Sequence, residues 1–201
     1  MAKYIINGGK KLYGDVMVQG AKNAVLPLLA ASIMTTEKVV ISNCPDIVDV
    51  DNMFRILFSL GVDIERRGDQ VTIDSSNINS YEISHSLARE LRSSIFLLGS
   101  VLARTGSAKV AYPGGCDIGL RPIDIHLKGL QELGVKIEEK YGYIVCDASY
   151  MRGNNITLDY PSVGATENIM LLATKCNGVT TISNPAREPE IEELQIFLNK
   201  M

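Results

Sequence analysis

The sequence contains no tryptophan, only two histidines and only four cysteines among its 201 residues. The cysteines, Cys44, Cys116, Cys146 and Cys176, are widely spaced and form no C-x-x-C pair. A zinc site needs Cys or His ligands at short, characteristic spacings, and these spacings are absent. The sequence therefore predicts free thiols and no metal site.

Two nucleotide-binding motifs are also missing. The chain has neither the G-x-x-x-x-G-K-[ST] of P-loop ATPases nor the G-x-G-x-x-G of Rossmann domains. We therefore expect neither of these enzyme classes, and we expect no cofactor.

Long apolar runs and an excess of one charge are absent too. The run from Ile95 to Ala103 is among the longest, and it is far shorter than the ~20 residues that span a bilayer. The first residues lack the apolar core of a signal peptide. A net charge of −3 gives no general attraction to nucleic acid or to anionic membranes. We expect a globular, cytoplasmic protein without nucleic-acid or membrane partners, in which any anion site is local.

An internal repeat organises what is present. A pattern of strand, loop, amphipathic helix and two further strands begins at Lys38 and recurs from Lys109 and from Thr180. Before the loop, the second copy lies 71 residues after the first, from Lys38 to Lys109. After the helix, it lies 73 residues after the first, from Gly61 to Gly134. The second copy therefore carries two extra residues in its loop. The third copy is offset by 141 residues and stops before its helix-ending glycine, so we expect it to be incomplete.

The two extra residues fall in the glycine-rich stretch PGGCDIGLRP, Pro113–Pro122. An insertion confined to one copy of a repeated loop favours a functional interpretation. Cys116 lies in this stretch with Arg121 nearby, and a thiol beside a fixed cation can have a lowered pKa. The alternative is that Cys116 is a small buried hydrophobic residue.

Each copy is preceded by a further predicted helix. These helices begin near Lys22, Arg92 and Gly164, at equivalent positions of the repeat. If the units pack about a pseudo-threefold axis, three helix N-termini point the same way and form an anion-binding ring. Lys22 and Arg92, with Arg121 of the inserted loop, would add positive charge to it.

Each of these residues also has an ordinary structural interpretation. Lys22 and Arg92, taken singly, are typical of solvated surface charges. His126 is typical of a helix surface or of a residue that supports a site, and Cys44 is typical of a structural thiol. Three acidic residues would simply favour helix N-termini, namely Asp124, Glu188 and Glu190.

Five motifs in order carry a resemblance to a known family: GAKNA at 20–24, LRSSI at 91–95, PGGCDIGLRPIDIHLKGL at 113–130, SVGATENIM at 162–170 and NPAREPEIEEL at 184–194. With these motifs the chain resembles, from end to end, the UDP-N-acetylglucosamine 1-carboxyvinyltransferases, enolpyruvyl transferases of bacterial peptidoglycan synthesis. The resemblance implies an α/β fold, an inside-out domain of pseudo-threefold βαβαββ repeats. It also implies a protein about twice as long, with a second domain. Residues 1–20 would form a strand segment of that absent domain, and 21–201 would form the first domain with its last repeat truncated.

The implied reaction transfers the enolpyruvyl group of phosphoenolpyruvate to the 3′-hydroxyl of UDP-N-acetylglucosamine and releases phosphate. Cys116 would be the general acid and the thiol modified by fosfomycin, and Lys22 and Arg121 would also be catalytic. The phosphoenolpyruvate ligands would be Lys22, Asn23, Arg92 and Arg121. The UDP-sugar ligands would be Asn23, Arg92, Arg121, Pro122, Ile123, Asp124, Ile125, His126, Ser162, Val163 and Gly164.

The chain departs from the family pattern in two ways. Tyr160 stands where some relatives have lysine, and the half that normally supplies the catalytic base is absent. The resemblance therefore implies that the chain alone is inactive and that its main partner is the missing C-terminal domain.

Two other functions stay open at this stage. The related shikimate-pathway enolpyruvyl transferase shares the fold and phosphoenolpyruvate, but it lacks a cysteine acid in this loop. The second alternative is that the chain is a non-catalytic module that binds phosphate ligands. A purely structural repeat protein would not explain the insertion around Cys116.

Overall fold

The helices and strands follow the order that the repeat predicts. The computed structural model describes residues 3–112 and 123–201, so Cys116, Arg121 and Pro122 lie outside the described residues. The helices are α1 Lys22–Ala31, α2 Val48–Ser59, α3 His85–Glu90, α4 Leu97–Thr105, α5 Asp124–Glu132, α6 Val163–Ala173 and α7 Pro189–Lys200. The strands are β1 Val39–Ile41, β2 Asp63–Arg67, β3 Gln70–Asp74, β4 Glu82–Ile83, β5 Ser107–Ala111, β6 Lys136–Lys140, β7 Tyr143–Asp147, β8 Asn155–Thr157 and β9 Thr181–Ser183.

The helices α1, α4 and α6 form the centre of the molecule. Seven successive residues of α1, from Val25 to Ala31, are buried, and so are the six from Leu97 to Leu102 in α4. The five from Ala165 to Ile169 in α6 are buried as well. A helix that is apolar on all sides has to be surrounded by protein. The sheets therefore lie outside the helices, which is the inside-out arrangement expected from the sequence.

Within residues 3–112 and 123–201, three small sheets cover this centre. The first is antiparallel with the order β1-β3-β2, and the second has the order β4-β5-β7-β6, in which only β4 and β5 are parallel. The third sheet pairs β8 with β9 in parallel. Inward residues such as Val71 and Ile73 of β3 are fully buried, whereas β2 keeps one face in solvent. Strands β4 and β8 add a parallel strand in front of the second and third units, and they are the first strands of the βαβαββ repeat that the resemblance implies.

Backbone conformations confirm the register of the repeat. Gly61 and Gly134 have φ of +93° and +92°, and Asn43 and Asn184 have φ of +57° and +55°. These pairs are separated by the offsets of 73 and 141 residues found in the sequence. The same unusual conformation at equivalent positions shows that the units share one local structure.

The central helices point in one direction. A cavity of about 360 Å³ is lined by Met34, Arg104, Thr174 and Leu198, which lie at or near the C-terminal ends of the helical segments α1, α4, α6 and α7. At the other end, Gly164 near the start of α6 lies beside the ring of Phe96, the residue before α4. Helices α4 and α6 therefore begin side by side and run in the same direction.

Two of the predicted helices contain a 3₁₀ turn at one end. The helix predicted from Lys22 consists of α1 and a following 3₁₀ turn, Ser32–Met34. The helix predicted from Arg92 starts with a 3₁₀ turn, Arg92–Phe96, and continues as α4. A short helix, α3, precedes this turn and was not predicted. In the part of the chain that the structure describes, no helix is both long enough and apolar enough to cross a membrane.

The segment 3–20 forms neither helix nor strand. Its large apolar side chains are exposed, and they include Tyr4, Ile5, Ile6, Leu12, Tyr13, Val16, Met17 and Val18. At its end, a Cβ on Gly20 would lie 2.0 Å from the carbonyl oxygen of Asn43, so only glycine allows the chain to enter α1 at this point.

The glycines that end α2 and α5 lead to a prediction about stability. Gly61→Ala and Gly134→Ala should each lower the free energy of unfolding by about 2–3 kcal/mol, because L-residues are strained at positive φ. The new Cβ would also lie 2.8 Å from the oxygen of Asn77 or 2.6 Å from that of Tyr150. Gly68, with φ of +64° and no atom within 4 Å of a Cβ, is the matched control and should lose only about 1 kcal/mol. Urea unfolding of the three variants measures the difference, and equal losses would contradict it.

Candidate functional site

The candidate site lies where the central helices begin. Lys22 is the first residue of α1, and Ala21 before it has no side chain that could cap the helix. The ammonium of Lys22 is 2.8 Å from a carboxylate oxygen of Asp49, in the first turn of α2, and the Lys22 side chain is 52% exposed. Lys22 is therefore a solvent-accessible cation at a helix N-terminus, and any anion would compete with Asp49 for it.

Asn23 connects the starts of two helices. Its side-chain amide donates to a carboxylate oxygen of Glu190 at 3.5 Å. Glu190 lies in the first turn of α7, and Glu188 is the residue before that helix. These two acids occupy the helix start that the sequence predicts for them, and Glu190 also orients Asn23.

The start of α6 is packed closely against the neighbouring units. Ser162 caps the helix, because its hydroxyl oxygen accepts from the N–H of Ala165 at 3.3 Å. A Cβ on Gly164 would lie 2.7 Å from the ring of Phe96 and 2.8 Å from that of His126. Glycine at this position therefore lets α6 approach both rings, and Val163 beside it is half-buried.

His126 is buried in this contact and bonded to Asn168 of α6. The N–H of Gly99 donates to Oδ1 of Asn168 at 2.7 Å, which identifies Oδ1 as the carbonyl oxygen. Nδ2 therefore donates to the carbonyl of Ile95 at 2.8 Å and to Nδ1 of His126 at 2.9 Å. Nδ1 of His126 is therefore the acceptor in this bond, and the ring of His126 is held against α6.

The residues around the start of α5 differ in exposure. Asp124 is exposed in the first turn of α5, whereas Ile123 and Ile125 are half-buried. One turn later, Lys128 forms an ion pair with Asp159 at 2.6 Å. Asp124 is thus available at a helix N-terminus, as predicted.

The structure brings some predicted site residues together and leaves others outside the described part. Asn23 meets the start of α7, and Gly164 meets His126. Arg92 begins the 3₁₀ turn before α4, but its side chain is outside the described residues, like Cys116, Arg121 and Pro122. The roles assigned to all these residues stay predictions.

The three described cysteines are poor nucleophiles. Burial raises the pKa of the Cys146 thiol to about 12, and it raises the pKa of Cys44 and Cys176 as well. A raised pKa lowers the fraction of reactive thiolate at neutral pH. Cys44 is 2% exposed and occupies the structural position predicted for it.

The sequence analysis missed three successive polar residues inside α6. Thr166, Glu167 and Asn168 are at most 1% exposed, in a helix that is otherwise apolar. Three adjacent polar residues on a helix point in three directions, so their burial requires neighbours on several sides. The presence of TEN inside an apolar helix was the signal that could have identified them.

Comparison with known proteins places the chain in a family. The profile of EPSP synthase (3-phosphoshikimate 1-carboxyvinyltransferase) matches residues 6–201. The chain is 56% identical over its whole length to UDP-N-acetylglucosamine 1-carboxyvinyltransferase 2 of Caldanaerobacter subterraneus subsp. tengcongensis, and covers 48% of that protein. It is 50% identical over 99% of its length to UDP-N-acetylglucosamine 1-carboxyvinyltransferase 1 of Symbiobacterium thermophilum, and covers 46% of that protein. The chain therefore spans about half the length of these curated relatives.

Solved structures show the same fold. The enolpyruvyl transferase NikO from Streptomyces tendae matches 96% of the chain with a TM-score of 0.82 at 24% identity, and 45% of that protein is covered. EPSP synthase from Acinetobacter baumannii matches 89% of the chain with a TM-score of 0.65 at 18% identity, and 42% of that protein is covered. These likenesses confirm the predicted α/β architecture.

Proposed function

Because the chain belongs to the EPSP synthase family, we propose that it is the N-terminal half of a UDP-N-acetylglucosamine 1-carboxyvinyltransferase. The complete protein would transfer the enolpyruvyl group of phosphoenolpyruvate to the 3′-hydroxyl of UDP-N-acetylglucosamine and release phosphate. The observation that carries this proposal is the 48–56% identity, along the whole chain, to four relatives of that name. It would act in peptidoglycan synthesis, in the cytoplasm.

The geometry of the site supports the proposed division of roles. Lys22 presents a cation at the start of α1, where the helix dipole also favours an anion. With Arg92 and Arg121 it would hold the phosphate and carboxylate of phosphoenolpyruvate. Ser162, Val163 and Gly164 begin α6 and would hold the diphosphate, with Ile123 to His126 on the facing side. Asn23 would orient the reaction intermediate, and Cys116 would protonate the methylene carbon as general acid.

We also propose that residues 1–20 pair with a domain that this chain does not contain, and that 21–201 form the first domain. The exposed apolar side chains of the segment 3–20 support this division. A row of large apolar residues in solvent is typical of a surface that another element covers.

The proposed function can be tested by reassembly. We would mix the 201-residue chain with the C-terminal half of the Caldanaerobacter relative and measure phosphate release from phosphoenolpyruvate. We expect release with UDP-N-acetylglucosamine and none with shikimate 3-phosphate. The reverse preference would indicate the shikimate-pathway enzyme, and binding without turnover would indicate a non-catalytic module. We expect the chain alone to be inactive, because the opposing base and the closing domain are missing.

A prediction about charge concerns Lys22. In the reassembled protein, Lys22→Ala should weaken phosphoenolpyruvate binding by about 1.5–3 kcal/mol, the range for hydrogen bonds to charged groups. This corresponds to about 10- to 150-fold in Kd. Titration calorimetry measures the change, and Lys10→Ala, in the exposed segment 3–20, is the matched control with no expected effect. Equal small effects of both substitutions would contradict the role of the helix start.

A further inference from the structure

Glu167 is a buried acid without a described bonding partner. Its side chain lies on α6 and is 1% exposed, and neither carboxylate oxygen has a hydrogen-bond partner among the described residues. The polar side chains on both sides of it are satisfied. Thr166 donates to the carbonyl of Ser162 and accepts from the N–H of Ala186, and Asn168 makes the three bonds described above. Glu167 is therefore the exception in an otherwise satisfied set of polar groups.

The charges nearest to Glu167 are of the same sign. Glu188 and Glu190 act on it from the start of α7, which packs against α6. The bond from Thr166 to Ala186 holds the chain just before Glu188 against α6. Glu190 is at the same time the acceptor for the side-chain amide of Asn23. The negative charges of Glu190 and Glu188 therefore act on Glu167 across the contact between α6 and the start of α7.

Two described cations on neighbouring elements are paired with other acids, and Arg187, which precedes Glu188, is exposed to solvent. Lys22 of α1 is paired with Asp49, and Lys128 of α5 is paired with Asp159. Arg104 of α4 lies at the opposite end of the central helices. His126 of α5 contacts α6 through Asn168. An ionised Glu167 would be desolvated and would be repelled by the charges of Glu190 and Glu188.

A neutral carboxyl group removes both costs, because burial and like charges each disfavour the ionised form. Burial, followed by the charges of Glu190 and Glu188, raises the pKa of the Glu167 carboxyl to about 8. A protonated carboxyl also gains an O–H donor, which a neighbouring carboxylate can accept.

We propose that Glu167 is a positioning residue that keeps its proton at neutral pH, so that α7 can place the carboxylate of Glu190 against the amide of Asn23. The inference rests on the proposed function only for the importance of Asn23, which would orient the reaction intermediate. Glu167 itself touches no substrate in this proposal. It acts through Glu190 on Asn23, and its ionisation would push the start of α7 away from α6.

The proposal gives a defined dependence on pH. The pKa of Glu167 is raised in the folded protein, from an ordinary value of 4.5 to about 8. The folded state therefore holds this proton more tightly than the unfolded state. Its contribution to stability is complete below about pH 4.5 and is lost progressively as the pH rises towards about 8.

NMR of the 201-residue chain tests the proposal without any assay of activity. With ¹³C at the glutamate carboxyl carbons, we expect one resonance to titrate near pH 8 and to disappear in Glu167→Gln. The side-chain amide signals of Asn23 should shift with the same midpoint in the native chain and should not shift in Glu167→Gln. The matched control is Glu192→Gln, which removes an exposed carboxylate from the first turn of α7 and should leave both titrations unchanged.

Each outcome decides the question. If no glutamate titrates above pH 6, Glu167 does not keep its proton and the proposal is wrong. If Glu167 titrates near pH 8 but the Asn23 signals do not follow, its positioning role is wrong. Both measurements on the native chain remain decisive even if Glu167→Gln fails to fold. Neither depends on phosphate release, so failure of this proposal is distinguishable from failure of the proposed function.

Discussion

Asn168→Ala is expected to lower the free energy of unfolding of the chain by about 3–5 kcal/mol. The side chain is fully buried and serves three partners on two other segments: the N–H of Gly99, the carbonyl of Ile95 and Nδ1 of His126. Alanine would leave the Gly99 and Ile95 groups buried without these bonds, and each such loss costs about 1–3 kcal/mol. It would also leave a cavity where α4 and α6 meet. Urea unfolding followed by circular dichroism measures the loss.

Two comparisons make this result specific. Asn199→Ala, on the exposed side of α7, should change stability by no more than about 0.5 kcal/mol. Asn168→Leu keeps the number of side-chain heavy atoms and leaves no cavity, but it forms no hydrogen bonds, so it separates the polar loss from the cavity. If leucine restored native stability, the hydrogen bonds of Asn168 would contribute nothing to the fold.

Cys116→Ala should reduce phosphate release by the reassembled protein by about 10²- to 10⁴-fold, the usual contribution of a general acid. The reason is that the thiol is proposed to protonate the methylene carbon of phosphoenolpyruvate. Binding of phosphoenolpyruvate should change far less, because the substitution at Cys116 leaves the cation of Lys22 in place. Steady-state assays at saturating substrates, together with calorimetry, separate turnover from binding.

The control for this variant is another cysteine. Cys176→Ala removes a half-buried thiol that contacts the carbonyl of Leu172 in α6, and it should retain native turnover. Brief alkylation followed by peptide mass mapping gives a second measurement. Cys116 should be labelled before Cys44, Cys146 and Cys176, whose pKa values are raised by burial. Equal labelling of all four, or full turnover by Cys116→Ala, would contradict the general-acid assignment.

Much of the fold could be predicted because its signals are local. The positive-φ positions at Gly61 and Gly134 repeat at the offset found in the sequence, and each follows an amphipathic helix. The apolar residues of α1 and α6 mark both helices as central. The βαβαββ repeat that the resemblance implies includes the short strands β4 and β8, but their positions were not located, because two or three residues carry too little pattern and the strands exist only through pairing with β5 and β9.

The site was predicted less completely, because its support comes from distant segments. Lys22 and Asn23 were identified at a helix start, but their partners Asp49 and Glu190 could not be. The sequence separation between Asn23 and Glu190 is 167 residues, so no local pattern connects them. His126 was assigned to substrate binding, and the structure adds a hydrogen bond to Asn168 that local spacing does not reveal.

The order of the longer helices and strands, the threefold repeat and the family were determined by the sequence alone, since each depends on residues that are adjacent or regularly spaced. Only the tertiary structure decided which polar groups are buried and which charges meet. Thr166, Glu167 and Asn168 are neighbours in sequence, yet two are satisfied by hydrogen bonds, whereas Glu167 has no hydrogen-bond partner among the described residues and is acted on by the charges of Glu190 and Glu188. The cost of burying a charge depends on every element that surrounds it, and those elements come together only when the chain folds.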